Sequence, residues 1–281
     1  MRERQPRHRR TKIRPVQRKS TQLAMPFSKL NTDLLIRQTF VARVEHHATL
    51  GSTNDRAREC AAEGLGPLPL LIVADEQTAG RGRGDNRWWT GRGSLACSLL
   101  IDPDALEIDR CRSSPLVALA TAVAIVETVA PLLADHKVGL HWPNDVYVEG
   151  WKLAGILAEV LANRRIVLGM GLNANNSLGD APQELQNTAT TLLDLTGVLH
   201  DRTRILLSLF ERLENALGKL ASHPEQIAAT ADEMCLQKGQ TLTVQWGRQG
   251  VCGRCEGIAS DGALLLHTPE GLERLYSGVL R

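Results

Sequence analysis

The pattern of the chain changes near Gly239, and that break restricts the architecture more than any other feature. From Asn31 to about residue 231, helical stretches alternate with apolar strands, and no repeat at solenoid spacing is present. From Gly239 onward, TLTVQW, VCGRCEGIA, ALLLHT and LERLYSG follow one another as short alternating strands. They are joined by turn residues at 247–250, 260–262 and 269–271. A mixed sheet packed with helices, followed by a small barrel, satisfies both patterns. A chain of 281 residues has room for one large and one small unit.

Within the first unit, the spacing predicts a helix opening at Ser52 and Thr53, running to Glu63 and ending at Gly64 and Gly66. Strands are expected at 70–74, 95–101, 138–142, 146–149, 153–160 and 166–172, with a Gly/Arg loop at 77–90 and helices at 202–220 and 224–236. The longest apolar run, 115–134, is interrupted by Thr121, Glu127 and Thr128, so it reads as a core helix rather than a bilayer span. Ser113 and Ser114 precede Pro115 in the order of an N-cap and an N1 proline.

Charge is unevenly placed. Residues 1–30 hold ten Lys or Arg against the single acid Glu3, within a formal total of +2. So basic and apolar-poor a start is expected to be a tail without a core, 1–38, suited at most to non-specific contact with a polyanion. The expected units are then this tail, a large domain at 39–235 and the small domain at 236–281. Six cysteines without a compact framework, and no secretory segment at the start, point to reduced thiols in a cytoplasm. Cys252-x-x-Cys255 has no second ligand pair at zinc spacing, the histidines show no metal spacing, and no protein metal site is expected. His46 and His47 would point apart on a strand.

Four motifs have chemistry of their own. Ala79-Gly80-Arg81-Gly82-Arg83-Gly84-Asp85 follows a strand, with glycines that admit close approach and guanidinium groups that match carboxylate and phosphate oxygens. It is no P-loop, because no Gly-Lys-Ser or Gly-Lys-Thr follows; by composition it serves an anion, a nucleic acid or a solvated turn equally well. Trp88 and Trp89 suit either base stacking or core packing. Lys152 enters an apolar strand after His141-Trp142-Pro143-Asn144-Asp145, either as a phosphate partner or as a surface lysine at a strand end. Gly169-Met170-Gly171-Leu172-Asn173 ends in a side chain able to bond a base edge. Ser52, Thr53 and Asn54 either bind a polar ligand or cap the helix.

Taken in order, Ser-Thr-Asn, Gln-x-x-Gly-Arg-Gly-Arg, Trp-Pro-Asn-Asp, Lys-Leu-Ala-Gly-Ile-Leu-x-Glu and Gly-x-Gly-Leu-Asn resemble the motif series of biotin protein ligases. The resemblance implies an α+β fold, a mixed β-sheet flanked by helices, with a C-terminal SH3-like barrel. It also implies ATP-dependent adenylation of biotin, with Mg²⁺, and transfer to a lysine of a biotin carboxyl carrier protein of acetyl-CoA carboxylase or a related enzyme. By similarity, Ser52, Thr53, Asn54 and Gln77 bind the biotin ring, and Gly155 and Leu157 line its apolar body. Gly80, Arg81, Gly82 and Arg83 belong to the loop closing on its carboxylate. Lys152 is the principal catalytic lysine, assisted by Arg81 and Arg83. Trp88, Asn144, Asp145, Gly171, Asn173 and Arg281 join Arg83 and Lys152 at the nucleotide.

Two positions depart from the family pattern. His141 replaces the usual Lys or Arg, and Asp85 replaces a glycine. A lipoate or octanoate ligase shares the adenylating logic, but Ser52, Thr53 and Gln77 favour a polar ring. A biotin-sensing repressor needs an N-terminal helix-turn-helix, for which the 51 residues before Ser52 are expected to be too few. The expected form is therefore the short one, without specific DNA contact and without a membrane role, as a monomer or a homodimer.

Overall fold

The computed structural model describes residues 29–64, 66–108, 113–246 and 249–280. The first helix, α1 (Thr32–Gln38), is capped by Asn31, whose side-chain oxygen accepts the Leu34 N–H at 2.9 Å. Leu30 and Leu35 are buried in the main core. The expected tail at 1–38 is therefore corrected at its C-terminal end. Its charge count masked two leucines and a cap sufficient to dock one short helix; residues 1–28 lie outside the described ones.

Next come β1 (Arg43–Leu50), α2 (Thr53–Glu63), β2 (Leu70–Gln77), β3 (Leu95–Ile101) and α3 (Ser113–Val129). The sequence patterns had not marked α1 or β1, because β1 carries Arg43, Glu45, His46 and His47 in place of an apolar alternation. The chain continues through β4 (Val138–His141), β5 (Asp145–Val148), β6 (Trp151–Val160) and β7 (Ile166–Leu172). Two short helices, α4 (Gln183–Gln186) and α5 (Leu192–Thr196), precede α6 (Arg202–Ser222) and α7 (Pro224–Glu233).

Strands β1 to β7 form one sheet in the order β1-β2-β3-β7-β6-β5-β4. Only β1 and β2 pair in parallel; the other pairs are antiparallel. Helix α3 lies in the core, packed on α6, α7 and β6, and its apolar length serves that burial. It begins at Ser113, so Pro115 is its third residue rather than its first. That costs no hydrogen bond, since amides of the first turn have no intrahelical acceptor. On α6, Ile205, Leu206, Leu209, Leu213, Ala216, Leu217 and Leu220 recur at three- and four-residue spacing and are buried together. Asp201 caps this helix by accepting from Thr203 and Arg204.

The last strands are β8 (Thr241–Trp246), β9 (Gln249–Ile258), β10 (Leu264–Thr268), β11 (Gly271–Leu275) and β12 (Val279–Leu280). They form an antiparallel sheet ordered β11-β10-β9-β8-β12. Its β12 has only two residues, too few for a sequence pattern, and pairs Val279 and Leu280 with Gln245 and Val244. The two units are stitched by Trp142 Nε1 donating to Gly262 O at 3.2 Å and Ile258 N–H donating to Asp232 Oδ1 at 2.8 Å.

Candidate functional site

A cavity of about 690 Å³ opens over the face of the large sheet at β6 and β7. Its floor is low because Gly155 pairs with Gly171 and Leu157 with Gly169 across the two strands. A Cβ at Gly171 would collide with the Trp88 indole, and one at Gly169 with the Asn54 amide. The indole therefore lies on bare backbone, and its Nε1 is buried without a hydrogen-bond partner.

Lys152 reaches this face through an irregularity in β6. Asp145 pairs with Gly155 and Val146 with Ala154, but Tyr147 then pairs with Lys152, which leaves Leu153 as an extra residue. Side chains alternate along a regular strand, so Lys152 would otherwise face away from Gly155. The bulge puts both on one face. The Lys152 ammonium then sits 2.8 Å from Asp145 Oδ2 and 5.8 Å from the centre of the Trp88 ring. Its backbone is held by Thr188 O and the Thr190 N–H, each at 2.9 Å.

One end of the cavity is polar and neutral. Ser52 occupies the N-cap of α2 but makes no side-chain cap bond. The Thr53 N–H instead donates to Gln77 Oε1 at 2.8 Å, and Gln77 Nε2 donates to Thr90 Oγ1 at 3.0 Å. Ser98 Oγ lies 2.7 Å from Thr53 Oγ1 and 2.6 Å from Asn54 Oδ1. Cys97, Met170, Ile156 and Leu157 supply the adjoining apolar wall. Burial pushes the Cys97 thiol up to about 12, so it stays protonated and packs as an apolar group.

The other end is cationic. Arg83 donates to Asn144 Oδ1 at 2.8 Å and to Gly278 O at 3.1 Å, bridging the loop to the turn after β4 and to the C-terminal sheet. Asn144 clasps β6 through its side-chain NH₂ on Ile156 O, while its own carbonyl accepts the Ile156 N–H at 2.8 Å. His141 stacks on Tyr147, with centroids 4.2 Å apart. Burial, with Lys152 adding to it, lowers the His141 pKa below the usual 6.5 against the pull of Asp145. His141 is therefore neutral at pH 7, where a Lys or Arg would be a fixed charge. Asp85 stands exposed at the loop tip.

Most of the expected residues meet in this cavity: Ser52, Thr53, Asn54, Gln77, Arg81, Gly82, Arg83, Trp88, Asn144, Asp145, Lys152, Gly155, Leu157 and Gly171 line it. Arg83 and Lys152 share the Asn144–Asp145 turn, whereas Arg81 turns to Asp55 at 3.1 Å and Glu159 at 3.3 Å. Gly80 and Asn173 are not in the lining. Gly80 O accepts the Trp88 N–H at 3.0 Å and so seats the indole. Asn173 is buried, and its Oδ1 accepts from Asn176 at 3.2 Å. Arg281 lies outside the described residues.

Sequence patterns passed over Tyr147, Cys97, Met170 and the Gly278–Leu280 segment, all in the lining. Only Met170 carried a signal, as the residue between two glycines. Cys252 is exposed and Cys255 buried, so the pair does not share a face. His46 bonds Asp75 and His47 bonds Glu45, on separate partners as the alternation required. Among the described residues, no group of three His, Cys, Asp or Glu could hold a metal.

Residues 48–174 match the Biotin/lipoate A/B protein ligase family, and residues 239–279 match the Biotin protein ligase C terminal domain. A Biotin--[acetyl-CoA-carboxylase] ligase of Mycobacterium tuberculosis is 36% identical over 222 residues, which cover 78% of this chain and 81% of that protein. The chain belongs to the biotin protein ligase family. The Bifunctional ligase/repressor BirA of Bacillus subtilis is 32% identical over 83% of this chain and 71% of its own length. Among solved structures, the biotin protein ligase from Aquifex aeolicus in complex with biotin and ATP superposes with a TM-score of 0.75 at 27% identity, covering 85% of this chain and 98% of that one. As a family member, the chain has the mixed sheet with helices and the small C-terminal sheet of an SH3-like domain.

Proposed function

We infer that this biotin protein ligase adenylates biotin with ATP and passes the biotinyl group to a lysine of a biotin carboxyl carrier protein. The observation that carries the reading is the Leu153 bulge, which sets Lys152 on the cavity floor where the neutral polar end meets the cationic end. A ring with amide-like N–H and C=O groups suits the first, and a polyphosphate suits the second.

In the first step, a carboxylate oxygen of biotin attacks the α-phosphorus of ATP, and the bond to the β-phosphate oxygen breaks to release pyrophosphate. Two anions must approach, so the Lys152 ammonium and the Arg83 guanidinium offset repulsion and stabilise charge developing on the phosphoryl oxygens. Arg81, on the same loop, orders the biotin side. In the second step, the carrier lysine amine attacks the acyl carbon, the acyl–phosphate bond breaks, and AMP leaves. Trp88 and the loop shield the mixed anhydride from water.

Mg²⁺ would accompany the triphosphate. The Asp145 carboxylate and the Asn144 amide oxygen are hard donors of the kind this ion takes singly alongside phosphate oxygens. Bound there, it supplies positive charge to the phosphates.

The carrier we assign is the biotin carboxyl carrier subunit of acetyl-CoA carboxylase or a related enzyme, following the names of the curated relatives. We place the reaction in the cytoplasm, and sedimentation of the purified chain decides between monomer and homodimer. Streptavidin detection of a carrier domain incubated with the chain, ATP, Mg²⁺ and biotin tests the function. Pyrophosphate exchange should follow biotin and not lipoate or octanoate; equal exchange with the three acids would overturn the assignment.

A further inference from the structure

Glu159 lies at the end of the same β6 that carries Lys152, outside the cavity lining, with its side chain 15% exposed. Four contacts converge on its carboxylate. One oxygen accepts from Asn54 Nδ2 at 2.8 Å and the other from Arg58 at 2.7 Å, while Arg81 Nη1 lies 3.3 and 3.4 Å from the two. It therefore ties a helix residue that faces the ligand to an arginine of the closing loop.

We propose that Glu159 is a positioning residue that sets the donor and acceptor polarity of the biotin-ring pocket. The inference rests on the biotin ligase reading. A carboxylate only accepts, so Asn54 must turn its NH₂ toward Glu159 and its Oδ1 toward Ser98. Ser98 has one hydroxyl proton, and Asn54 Oδ1, at 2.6 Å, takes it. The Thr53 proton is then committed inward, to Ser98 Oγ at 2.7 Å or to Gln77 Oε1 at 3.1 Å. Thr53 accordingly shows lone pairs to the cavity. That is an acceptor face for the N–H groups of a cyclic urea, imposed by a charge that never touches the ligand.

Glu159→Gln removes the constraint, because a carboxamide can meet Asn54 with either its oxygen or its NH₂. Biotin KM should rise about tenfold, the scale of one misdirected hydrogen bond to a charged group, while kcat and ATP KM stay within about twofold. Asn54→Asp alone sets two carboxylates against each other and should raise biotin KM further. Combining the two substitutions restores an acceptor toward Ser98 at unchanged net charge, and it should recover most of the biotin KM. The double variant also keeps the test open if Glu159→Gln unfolds. A double variant no better than either single one, or biotin and ATP KM rising together, would overturn the proposal. A wild-type chain with no biotin-dependent pyrophosphate exchange would instead overturn the functional reading beneath it.

Discussion

The two ends of the cavity are built differently. The polar end belongs to one compact neighbourhood: Thr53 and Asn54 on α2, Gln77 at the end of β2 and Ser98 within β3, bonded side chain to side chain and largely buried. The cationic end is assembled from three distant stretches, with Arg83 on the loop, Asn144 and Asp145 after β4, and Gly278 at the C-terminal sheet. The first is held rigid by core packing that exists without a ligand. The second relies on a single loop arginine, half-buried, whose two bonds cross between elements. The polar end thus comes preorganised, whereas the cationic end hangs on few bonds between elements.

The largest expected effect falls where the two ends meet. Lys152→Ala should lower adenylate formation by about a hundredfold or more in pyrophosphate exchange, with little change in thermal unfolding, because the ammonium acts on charge that develops only during reaction. Loss of folding together with activity would instead make the Lys152–Asp145 pair structural. Next comes Arg83→Gly, which cuts the loop from both Asn144 and Gly278. Release of biotinyl-adenylate should rise about tenfold, and lysines on unrelated proteins should become labelled. Labelling still confined to the carrier would show that the cationic end does not depend on its loop.

Gly171→Ala should shift the Trp88 indole and destabilise the chain by about 1–3 kcal/mol in urea titration, a cost of overpacking at the floor both ends share. An unchanged midpoint would mean that the indole yields freely. At the polar end, Thr53→Val should raise biotin KM about tenfold and leave ATP KM alone, since one hydroxyl is lost from a closed network.

The smallest effect concerns pH. Burial lowers the folded-state pKa of His141, so below the usual 6.5 the unfolded chain binds a proton before the folded chain does. Its contribution to stability is complete above 6.5 and is lost as pH falls through the folded-state value. His141→Gln should reduce the drop in urea midpoint between about pH 7.5 and 5.5. A drop as large as in the wild type would clear His141 of that role.

Legibility followed locality. Strands 95–101 and 166–172 were read from the sequence to the residue, since both are continuous apolar runs buried on both faces. Strand β1 escaped because it is a charged edge strand, and β12 because two residues carry no period. In the site, ordered motifs brought most of the lining residues together, including Gln77 and Asn144, far apart in the chain. Ser52 read as a side-chain cap, but it makes no such bond, and the N–H of Thr53, the first helical residue, is met from β2 by Gln77. Asp55 and Glu159 as partners of Arg81 were not foreseeable, because an arginine's partner depends on which element packs beside it.

The amino-acid sequence by itself determined the family, the break between a mixed sheet and a small antiparallel sheet, and the chemical types at each end of the cavity. The break follows from hydrophobic spacing along the chain, and the family and the chemistry at each end follow from the ordered motifs and their resemblance to biotin protein ligases. Only the tertiary structure decided that Leu153 is an extra residue, that Lys152 therefore faces Gly155, and that Arg83 reaches a carbonyl of the C-terminal sheet. Strand register and long-range hydrogen bonds depend on pairing between segments remote in sequence, and no local pattern specifies which partner a strand will take.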